Sequence, residues 1–443
     1  MFEGRRNHTL ILWAILLVAL ALRLGFWFGV VGFDSSGWGD EPDYHRLASS
    51  VASGEGLVGR LGEPTAARPP LYPIVLGGVY ALFGDDPDVA RAFQVLLGVL
   101  AVPLIHLLAR RLATPGVALL AALLAALNPA LIYMSGLIMS ENLYILAILG
   151  VLLLLVRDAR EPRRPASIGR YLLVGALSGA AYLVRPQMLF FAAFVGLAVL
   201  WTTSLVWRGR LARLAVMVVA AAVVVSPWIV RNYDRFDAFV PSTTHGGITF
   251  YESNNELIPT NPDFKGIVVI PRRAVPDWDE LKDLPEVEYN RRAFEKGIEF
   301  VTSNPALSLR MAWWKFLRFW RFDAGIEVPE RFLARLPGGI SGGPARLARA
   351  VDLGAVYWWV VIPLFIVGLL ASWKARKRYV LLYGVIVSHT VMALIFHGSI
   401  RARSPVEPVI CVLAALGVSW LRSAWLTRGQ SSSRSNRFLT YGQ

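Results

Sequence analysis

The chain has 443 residues, of which 55% are hydrophobic and 17% are charged, and its mean hydropathy is +0.49. The charges are clustered between long apolar runs, a pattern that a bilayer accommodates because about 20 apolar residues match its hydrocarbon thickness. This excludes an ordinary soluble protein of two or three domains. The formal net charge of +14 is interpreted as a basic cytoplasmic face, with no nucleic-acid partner. The single cysteine, Cys411, excludes an intrachain disulfide.

Ten apolar runs predict an all-α polytopic membrane protein. In chain order they are Leu10–Val31, Val89–Ala109, Gly116–Tyr133, Leu143–Val156, Tyr171–Val184, Met188–Trp207, Leu211–Val230, Leu353–Ala371, Tyr379–Phe396 and Val406–Leu421. The first has a basic start, as a signal peptide would, but it is long and no small-residue cleavage site follows it, so we expect an uncleaved span. A further run, Leu71–Phe83, is short for a crossing and is interpreted as re-entrant or interfacial; if it crosses, the spans number eleven.

The basic clusters predict the topology. If Leu71–Phe83 does not cross, both termini and the basic turns, among them Arg110–Arg111 and Lys374–Arg378, fall on one side of the membrane. If it crosses, the clusters scatter over both faces. The positive-inside rule therefore favours ten crossings of the cell membrane with both termini in the cytoplasm.

This topology divides the chain into regions with different surroundings. They are an N-terminal transmembrane core at 1–230 with juxtamembrane helices in its outer loop 32–70, a small extracytoplasmic module at 231–352, C-terminal transmembrane helices at 353–422, and a disordered cytoplasmic tail at 423–443. In the module, Leu309–Phe322 mixes tryptophans with basic residues, which is typical of a helix in the headgroup layer. Gly338–Gly343 is interpreted as a hinge before the next span.

Carboxylates at the outer face are the first candidates for chemistry. Asp40 and Glu41 open the first outer loop, where Pro42 predicts the start of an amphipathic helix, capped by Glu41, with Tyr44 on its apolar face. Glu141 lies at the outer mouth of a span, where an acid is costly unless it caps the helix or faces a cavity. Simple helix capping is the alternative explanation for these acids.

Five arginines recur at the outer mouths of spans, against the positive-inside bias. They are Arg68, Arg185, Arg231, Arg401 and Arg403. Guanidinium groups bind phosphate oxygens bidentately, so this rim predicts a phosphate site. Snorkelling to headgroups could explain any one of them but explains five poorly. Arg23, inside the first span, is interpreted as snorkelling or helix-paired, and Glu407 is predicted to pair with Arg401 or Arg403.

Acids and arginines around a membrane cavity predict group transfer from a lipid-linked phosphate. A carboxylate can act as general base on an acceptor hydroxyl or amine. Arginines can stabilise a phosphate as it leaves. These residues alone do not name the transferred group.

The order of these features resembles the C-type membrane glycosyltransferases, in the branch of the dolichyl-phosphate-mannose–protein mannosyltransferases and the lipid A aminoarabinose transferase. The matching pieces extend over nearly the whole chain and are Asp40-Glu41 with Tyr44 and Ala48, Arg68-Pro69-Pro70-Leu71, Arg91, Val102-Pro103-Leu104, Ala109-Arg110-Arg111-Leu112, Ser140-Glu141, Arg185-Pro186, Pro227-Trp228, Arg231-Asn232-Tyr233, and Arg401 with Pro405 and Glu407-Pro408. Each piece alone is weak, and their order and placement carry the resemblance.

The resemblance implies an inverting glycosyltransferase that moves a sugar from a polyprenyl-phosphate donor to an unknown acceptor in the cell envelope, among membrane lipids at the outer face. It implies that Asp40 activates the acceptor, that Glu41 and Glu141 are supporting catalytic acids, and that Arg68 lies beside the donor phosphate. The remaining implied contacts are Arg185, Arg231, Arg401 and Arg403 to the phosphate, and Tyr44, Asn232 and Glu407 to the substrates.

Some features depart from this branch and leave alternatives open. The outer loop Arg231–Asp352 is short beside the mannosyltransferases' lumenal module, and no separate C-terminal soluble domain is expected, so the acceptor stays open. The acids could coordinate a divalent cation, as in the oligosaccharyltransferase branch, but carboxylates without His or Cys make a weak metal site, and no cofactor is assigned. A transporter or lipid flippase for a phosphate-bearing lipid is the alternative function, followed by a non-catalytic scaffold. A transporter would favour mid-span ionisable groups and repeated halves, whereas here the acids cluster at one face and no repeat is found.

Overall fold

The structure, a computed structural model, describes residues 2–32, 39–60, 62–156, 167–202, 205–269, 272–321 and 343–439. Within these ranges the chain is helical apart from its loops and one isolated bridge between Val58 and Pro64. The predicted all-α fold class is therefore confirmed.

In the described part of the N-terminal core there are ten helices. They are α1 (Phe2–Phe26), α2 (Glu41–Ala52), α3 (Leu71–Phe83), α4 (Pro87–Leu112), α5 (Pro115–Leu127), α6 (Pro129–Ser135), α7 (Glu141–Leu155), α8 (Ile168–Val184), α9 (Met188–Thr202) and α10 (Trp207–Phe236). A π-helical turn, Trp27–Val31, prolongs α1. The short α2 lies in the predicted outer loop 32–70, and α3 coincides with the run Leu71–Phe83. Their position relative to the membrane stays a prediction.

The module and the C-terminal helices follow. The module contains α11 (Gly246–Glu252), α12 (Leu257–Thr260), α13 (Trp278–Leu281), α14 (Glu286–Ser303) and α15 (Pro305–Phe319), and the rest are α16 (Gly343–Trp373), α17 (Arg376–Ile395), α18 (Ile400–Arg403) and α19 (Glu407–Leu439). The last of these continues beyond the predicted span into the segment that the sequence predicts as a disordered tail. The predicted glycine hinge lies outside the described residues except for Gly343, which begins α16.

Six of the described helices are long and apolar enough to cross a bilayer. These spans are Arg6–Val31, Pro87–Leu112, Trp207–Phe236, Gly354–Trp373, Arg376–Ile395 and Ile400–Thr427. The bent pair α5 and α6 passes the same test together, and α3, α7, α8 and α9 are shorter apolar helices. If the bent pair, α7, α8 and α9 all cross, the total is the predicted ten, and α3 would make eleven. The number of crossings stays a prediction.

The span predicted over Gly116–Tyr133 is not one continuous helix, because the chain bends by 56° between α5 and α6. Whether the bent pair crosses the membrane stays a prediction. Asn128 causes the break together with the proline that follows it. The Asn128 side chain accepts a hydrogen bond from the backbone N–H of Leu131 at 3.0 Å, which caps α6. Pro129 occupies the first helical position, where its missing N–H costs nothing. The bend brings the chain from the membrane core to the turn before Glu141.

Arg23 is buried beside this bend and does not snorkel. Its guanidinium donates to the carbonyl oxygens of Ala19 at 3.0 Å and Ala126 at 3.4 Å, and to the hydroxyl of Ser135 at 3.2 Å. The carbonyl of Ala126 lies at the end of α5, where helical carbonyls lose their partners. Arg23 is therefore paired with neighbouring helices, one of the two interpretations that the sequence allowed.

Small residues allow close helix contacts in the core. A Cβ added to Gly175 would overlap the backbone of Met217, and one added to Gly179 would lie 2.8 Å from the carbonyl oxygen of Ala221. Gly175 and Gly179 are four residues apart, so both lie on the face of α8 that meets α10. Van der Waals packing of close backbones is a main source of helix association in membranes.

The module packs against the end of α17 near Ile395. The predicted headgroup helix is α15, which buries Met311 and exposes Leu309. Lys315 of the same helix is 1% exposed, and its ammonium donates to the Asn254 side chain at 2.8 Å and to the carbonyl of Ile395 at 3.1 Å. These contacts connect α15, the end of α11 and the end of α17. They hold the module over the region where the predicted site residues meet.

Candidate active site

Four separate segments of the chain meet at one end of the helices, the end that the sequence predicts to be extracytoplasmic. They contribute Asp40 before α2, Arg68 before α3, Glu141 at the start of α7, and Arg401 in α18. Asp40, and not Glu41, is the residue at the cap position of α2. Among the described residues it makes no side-chain capping bond, so the capping explanation of Asp40 is wrong.

Asp40 is held between two guanidinium groups. One carboxylate oxygen accepts from Nη2 of Arg68 at 2.6 Å, and the other accepts from Nη1 of Arg401 at 2.5 Å. Burial alone would raise the pKa of Asp40, but the charges of Arg401 and Arg68 outweigh it and hold the pKa well below its usual range. The Asp40 side chain remains 26% exposed. It is therefore held in its ionised form and is partly open to solvent.

Asp43 is a second acid on Arg68. Its carboxylate accepts from Arg68 at 3.0 Å and from Arg46 and Arg60 at 3.0 and 3.1 Å. Burial raises its pKa, but these arginines outweigh burial and lower the pKa below its ordinary value. Arg68 therefore keeps an anionic partner even when it releases Asp40. The guanidinium also lies over the ring of Tyr44, with 5.6 Å to the ring centroid.

Glu141 is fully buried beneath this cluster. One of its oxygens accepts from Arg185 at 2.5 Å and also from Nε of Arg401. The other oxygen has no hydrogen-bond partner among the described residues. Ser140 occupies the cap position of α7 without a capping bond from its side chain in the described part of the chain, so capping does not explain this acid. Arg401 thus bridges the two acids, Asp40 and Glu141.

Glu41 is also fully buried, but its contacts lie elsewhere. Its carboxylate accepts from the backbone N–H of Ile138 at 2.8 Å and lies 3.5 Å from the guanidinium of Arg91. These contacts connect α2 to the turn between α6 and α7. We interpret Glu41 as a positioning residue that sets the orientation of α2, and with it Asp40.

Arg403 and Glu407 form the predicted pair away from this cluster. Both side chains are fully buried, and the guanidinium donates to the carboxylate at 2.8 Å. Arg403 also donates to the carbonyl of Phe319 at 3.2 Å, and Glu407 accepts from Asn128 at 3.0 Å. The pair therefore connects α19 to the module and to the α5–α6 bend. Contact of Arg403 with a phosphate, or of Glu407 with substrate, would require these buried groups to leave their partners.

Arg231 and Asn232 anchor the first outer loop. Arg231 donates to the carbonyls of Thr65 at 3.1 Å and Leu57 at 3.4 Å, while Asn232 donates to the carbonyl of Val240 at 2.8 Å. These bonds hold the loop and the start of the module on the end of α10. Of the five rim arginines, the structure brings Arg68, Arg185 and Arg401 together, and leaves Arg231 and Arg403 in supporting positions.

Three residues of the module lie near enough to interact electrostatically with Asp40 and Arg68, and the sequence analysis did not select them. They are His245, Glu252 and Arg272, linked by bonds from Arg272 to His245 at 3.1 Å and to Glu252 at 2.5 Å. Burial lowers the pKa of His245, and the nearby charges of Arg68 and Arg272 lower it further. The only sequence signal was the seven-residue spacing of His245 and Glu252, which places both on one helix face.

A divalent cation does not fit the acids of this cluster. Asp40 and Glu141 are each paired with arginine and share Arg401 between them. No group of three or more His, Cys, Asp or Glu is arranged to hold a metal ion within the described ranges. The cluster instead contains ionised carboxylates paired with guanidinium groups. A guanidinium group can replace a carboxylate partner by another anion.

Comparison with known families gives a match in the core. Residues 67–230 match the family described as dolichyl-phosphate-mannose-protein mannosyltransferase. The matched part includes Arg68, Glu141 and Arg185, and it ends just before the module. No curated protein sequence matches the chain.

Solved structures share the fold. The oligosaccharyltransferase AglB from Archaeoglobus fulgidus, in complex with an inhibitory peptide and a dolichol-phosphate, matches with a TM-score of 0.56 and 16% identity, over 98% of this chain and 52% of that one. Its apo form matches with a TM-score of 0.55 and 15% identity, over 96% and 52%. ArnT from Cupriavidus metallidurans, bound to undecaprenyl phosphate, gives a TM-score of 0.41 and 16% identity, over 94% and 78%.

The chain thus spans about half the length of the archaeal oligosaccharyltransferase whose fold it shares. Nearly the whole of the present chain takes part in that match, so the shared fold includes the core, the module and the C-terminal helices. Together with the family match over 67–230, it confirms the predicted resemblance to the C-type membrane glycosyltransferases.

Proposed function

We propose that this chain transfers a sugar from a polyprenyl-phosphate donor to an acceptor of the cell envelope, at the outer face of the cell membrane and with inversion at the anomeric carbon. The observation that carries the proposal is the exposed, ionised carboxylate of Asp40 between Arg68 and Arg401. The family match and the fold shared with an oligosaccharyltransferase that holds a dolichol-phosphate support it.

Binding of the donor exchanges the partners of the arginines. Arg68 and Arg401 both donate to Asp40 in the absence of donor, and a phosphate competes for them because guanidinium groups bind its oxygens bidentately. When the phosphate engages them, an oxygen of Asp40 loses its hydrogen-bond partner. Loss of these contacts also raises the pKa of Asp40, which makes it a stronger base. Asp43 and Glu141 keep the two guanidinium groups in place during the exchange.

Transfer then needs one base and a stabilised leaving group. Asp40 accepts the proton of the acceptor hydroxyl or amine as the acceptor atom forms a bond to the anomeric carbon. The bond between that carbon and the phosphate oxygen breaks on the opposite face, and its electron pair leaves with the polyprenyl phosphate. Arg68 and Arg401 stabilise the charge that develops there. Attack opposite the leaving group inverts the anomeric centre.

The test is transfer of radiolabelled sugar from a panel of polyprenyl-phosphate sugars, with the purified chain in liposomes and extracted envelope acceptors. Wild type, Asp40→Asn and the control Asp85→Asn, which alters an acid bonded to Ser49, are compared. We expect transfer by wild type and the control and about a 10³-fold loss in Asp40→Asn.

Normal transfer by Asp40→Asn would remove Asp40 as the base. Absence of transfer from every donor by well-folded wild type would contradict the proposal and favour the transporter alternative. That alternative predicts movement of a phosphate-bearing lipid across the liposome membrane without chemical conversion.

A further inference from the structure

His245 enters the site from the module, beside Arg68. The residue before it, Thr244, donates its backbone N–H to the carbonyl of Ala66 at 3.0 Å, two residues before Arg68. Glu286, the first residue of α14, holds both segments: it accepts from the N–H of Ala66 at 2.8 Å and from the hydroxyl of Thr244 at 2.5 Å. One carboxylate therefore sets the relative position of His245 and Arg68.

Arg272 determines which nitrogen of His245 carries the proton. Nη2 of Arg272 lies 3.1 Å from Nε2 of His245. A guanidinium can only donate, so Nε2 accepts and the proton of the neutral ring resides on Nδ1. Glu252 accepts from Nε of Arg272 at 2.5 Å and fixes the guanidinium in turn. Among the residues that the structure describes, Nδ1 of His245 has no hydrogen-bond partner.

The surrounding charges keep the ring of His245 neutral. Burial lowers its pKa, the cations Arg68 and Arg272 lower it further, and the carboxylates of Asp40 and Asp43 oppose this only in part. At neutral pH the side chain is therefore an uncharged N–H donor. Such a donor is held in a fixed orientation by Arg272 and Glu252 and is placed next to a phosphate-binding arginine.

We propose that His245 is a further donor-binding residue, whose Nδ1–H donates a hydrogen bond to a phosphate oxygen of the lipid-linked sugar alongside Arg68. This inference rests on the proposed function and extends it to the module. Arg272 and Glu252 are positioning residues that act through His245. No proton moves at His245, since the acceptor's proton goes to Asp40 and the phosphate leaves as an anion. A preorganised donor stabilises that developing charge.

Two conservative substitutions distinguish the roles of the two ring nitrogens of His245. His245→Asn places an amide N–H near the position of Nδ1, whereas His245→Gln places its amide near Nε2 and retains only the contact with Arg272. In the transfer assay, we expect kcat/KM for the donor to fall about 100-fold in His245→Ala and His245→Gln, and His245→Asn to stay within about tenfold of wild type. Equal losses in the Asn and Gln variants would overturn the assignment to Nδ1.

Arg272→Gln tests whether Arg272 positions the ring of His245. Arg273→Gln is the matched control, because Arg273 is the exposed neighbour of Arg272. Without Arg272, one of the cations that lower the pKa of His245 is gone, so this pKa rises, while burial and Arg68 still lower it and Asp40 and Asp43 oppose them. Protonation then adds a charge that binds phosphate more strongly. We therefore expect the KM for the donor to fall as the pH is lowered in Arg272→Gln only. Parallel pH profiles of wild type and Arg272→Gln would overturn this part.

Calorimetric binding of a short-chain polyprenyl phosphate without sugar, measured on the full chain in nanodiscs, separates this inference from the proposed function. We expect wild type to bind it and His245→Ala to bind about tenfold more weakly, with an unchanged unfolding midpoint. Wild-type affinity and transfer in His245→Ala would overturn the role of His245 alone. Absence of binding by wild type would overturn the proposed function and this inference together.

Discussion

Two arginines of α18, two residues apart, have opposite surroundings. Arg401 is 28% exposed and bridges Asp40 and Glu141, which come from different segments. Arg403 is fully buried and pairs with Glu407 one helical turn later. Exposed pairs can exchange partners with a ligand, whereas breaking a buried pair leaves an uncompensated charge. An arginine at the mouth of a predicted span is therefore a candidate for phosphate binding only where a ligand can replace its partners.

The largest effect on stability is expected for the buried arginine, Arg403. Arg403→Gln leaves Glu407 without its cation, which should lower the free energy of unfolding by about 3–5 kcal/mol. The molecules that remain folded should retain wild-type kcat. Thermal unfolding in detergent and specific activity of the folded fraction measure the two quantities. Full stability combined with lost donor binding would return Arg403 to the phosphate site.

The second effect concerns the exposed arginine. Arg401→Gln removes the group that links Asp40, Glu141 and the incoming phosphate, so kcat/KM for the donor should fall about 100-fold, equivalent to about 2.7 kcal/mol. Stability should change less than in Arg403→Gln, because the Arg401 side chain is partly solvated. If the two variants lose activity and stability in the same proportion, the distinction between the two arginines fails.

The third prediction concerns Lys315, a buried cation of the module. Burial lowers the pKa of Lys315 to about 7, so the unfolded chain binds more protons than the folded chain between about pH 7 and 10. The free energy of unfolding should therefore rise with pH, by about 2 kcal/mol from pH 7 to pH 9. Lys315→Met should abolish this part of the pH dependence. The unfolding midpoint across this range checks it, and an equal slope in both proteins would contradict it.

The smallest effect is expected at the fifth rim arginine. Arg231→Gln removes bonds to the carbonyls of Thr65 and Leu57 in the first outer loop, which should cost about 1 kcal/mol of stability. The KM for the donor should stay within about twofold of wild type, since Arg231 contacts no residue of the Asp40 cluster in the described structure. A KM increase comparable to that of Arg401→Gln would place Arg231 at the phosphate.

Much of the site could be predicted from the sequence. The positive-inside bias points to Arg68, Arg185 and Arg401, and the acids Asp40 and Glu141 stand out at the predicted outer ends of spans. The structure brings these residues into one cluster. The same reasoning could not tell that Arg403 and Glu407 are enclosed elsewhere. The free-energy cost of an unpaired charge near the membrane identifies a residue that needs a partner. It does not distinguish a ligand from another group of the protein as that partner.

The missed residues have a common cause. His245 and Glu252 lie in a short polar segment that has no span beside it, so neither the hydrophobic pattern nor the charge bias gave them weight. Their position depends on Glu286, which bonds both to Ala66, 220 residues earlier in the chain, and to Thr244. The bend at Asn128 escaped prediction for a related reason, since a proline in an apolar run is compatible with a kinked or a continuous span.

The amino-acid sequence was enough to predict the membrane character of this protein, the places of its apolar helices and most of the charged residues of the candidate site. These follow from local quantities, namely apolar length against bilayer thickness and the bias in basic residues. Which charged side chains contact each other could be read only from the three-dimensional structure. The pairing of Asp40 with Arg401 joins positions 361 residues apart. Such a contact depends on how whole helices pack, which hydrophobic periodicity along the chain does not encode.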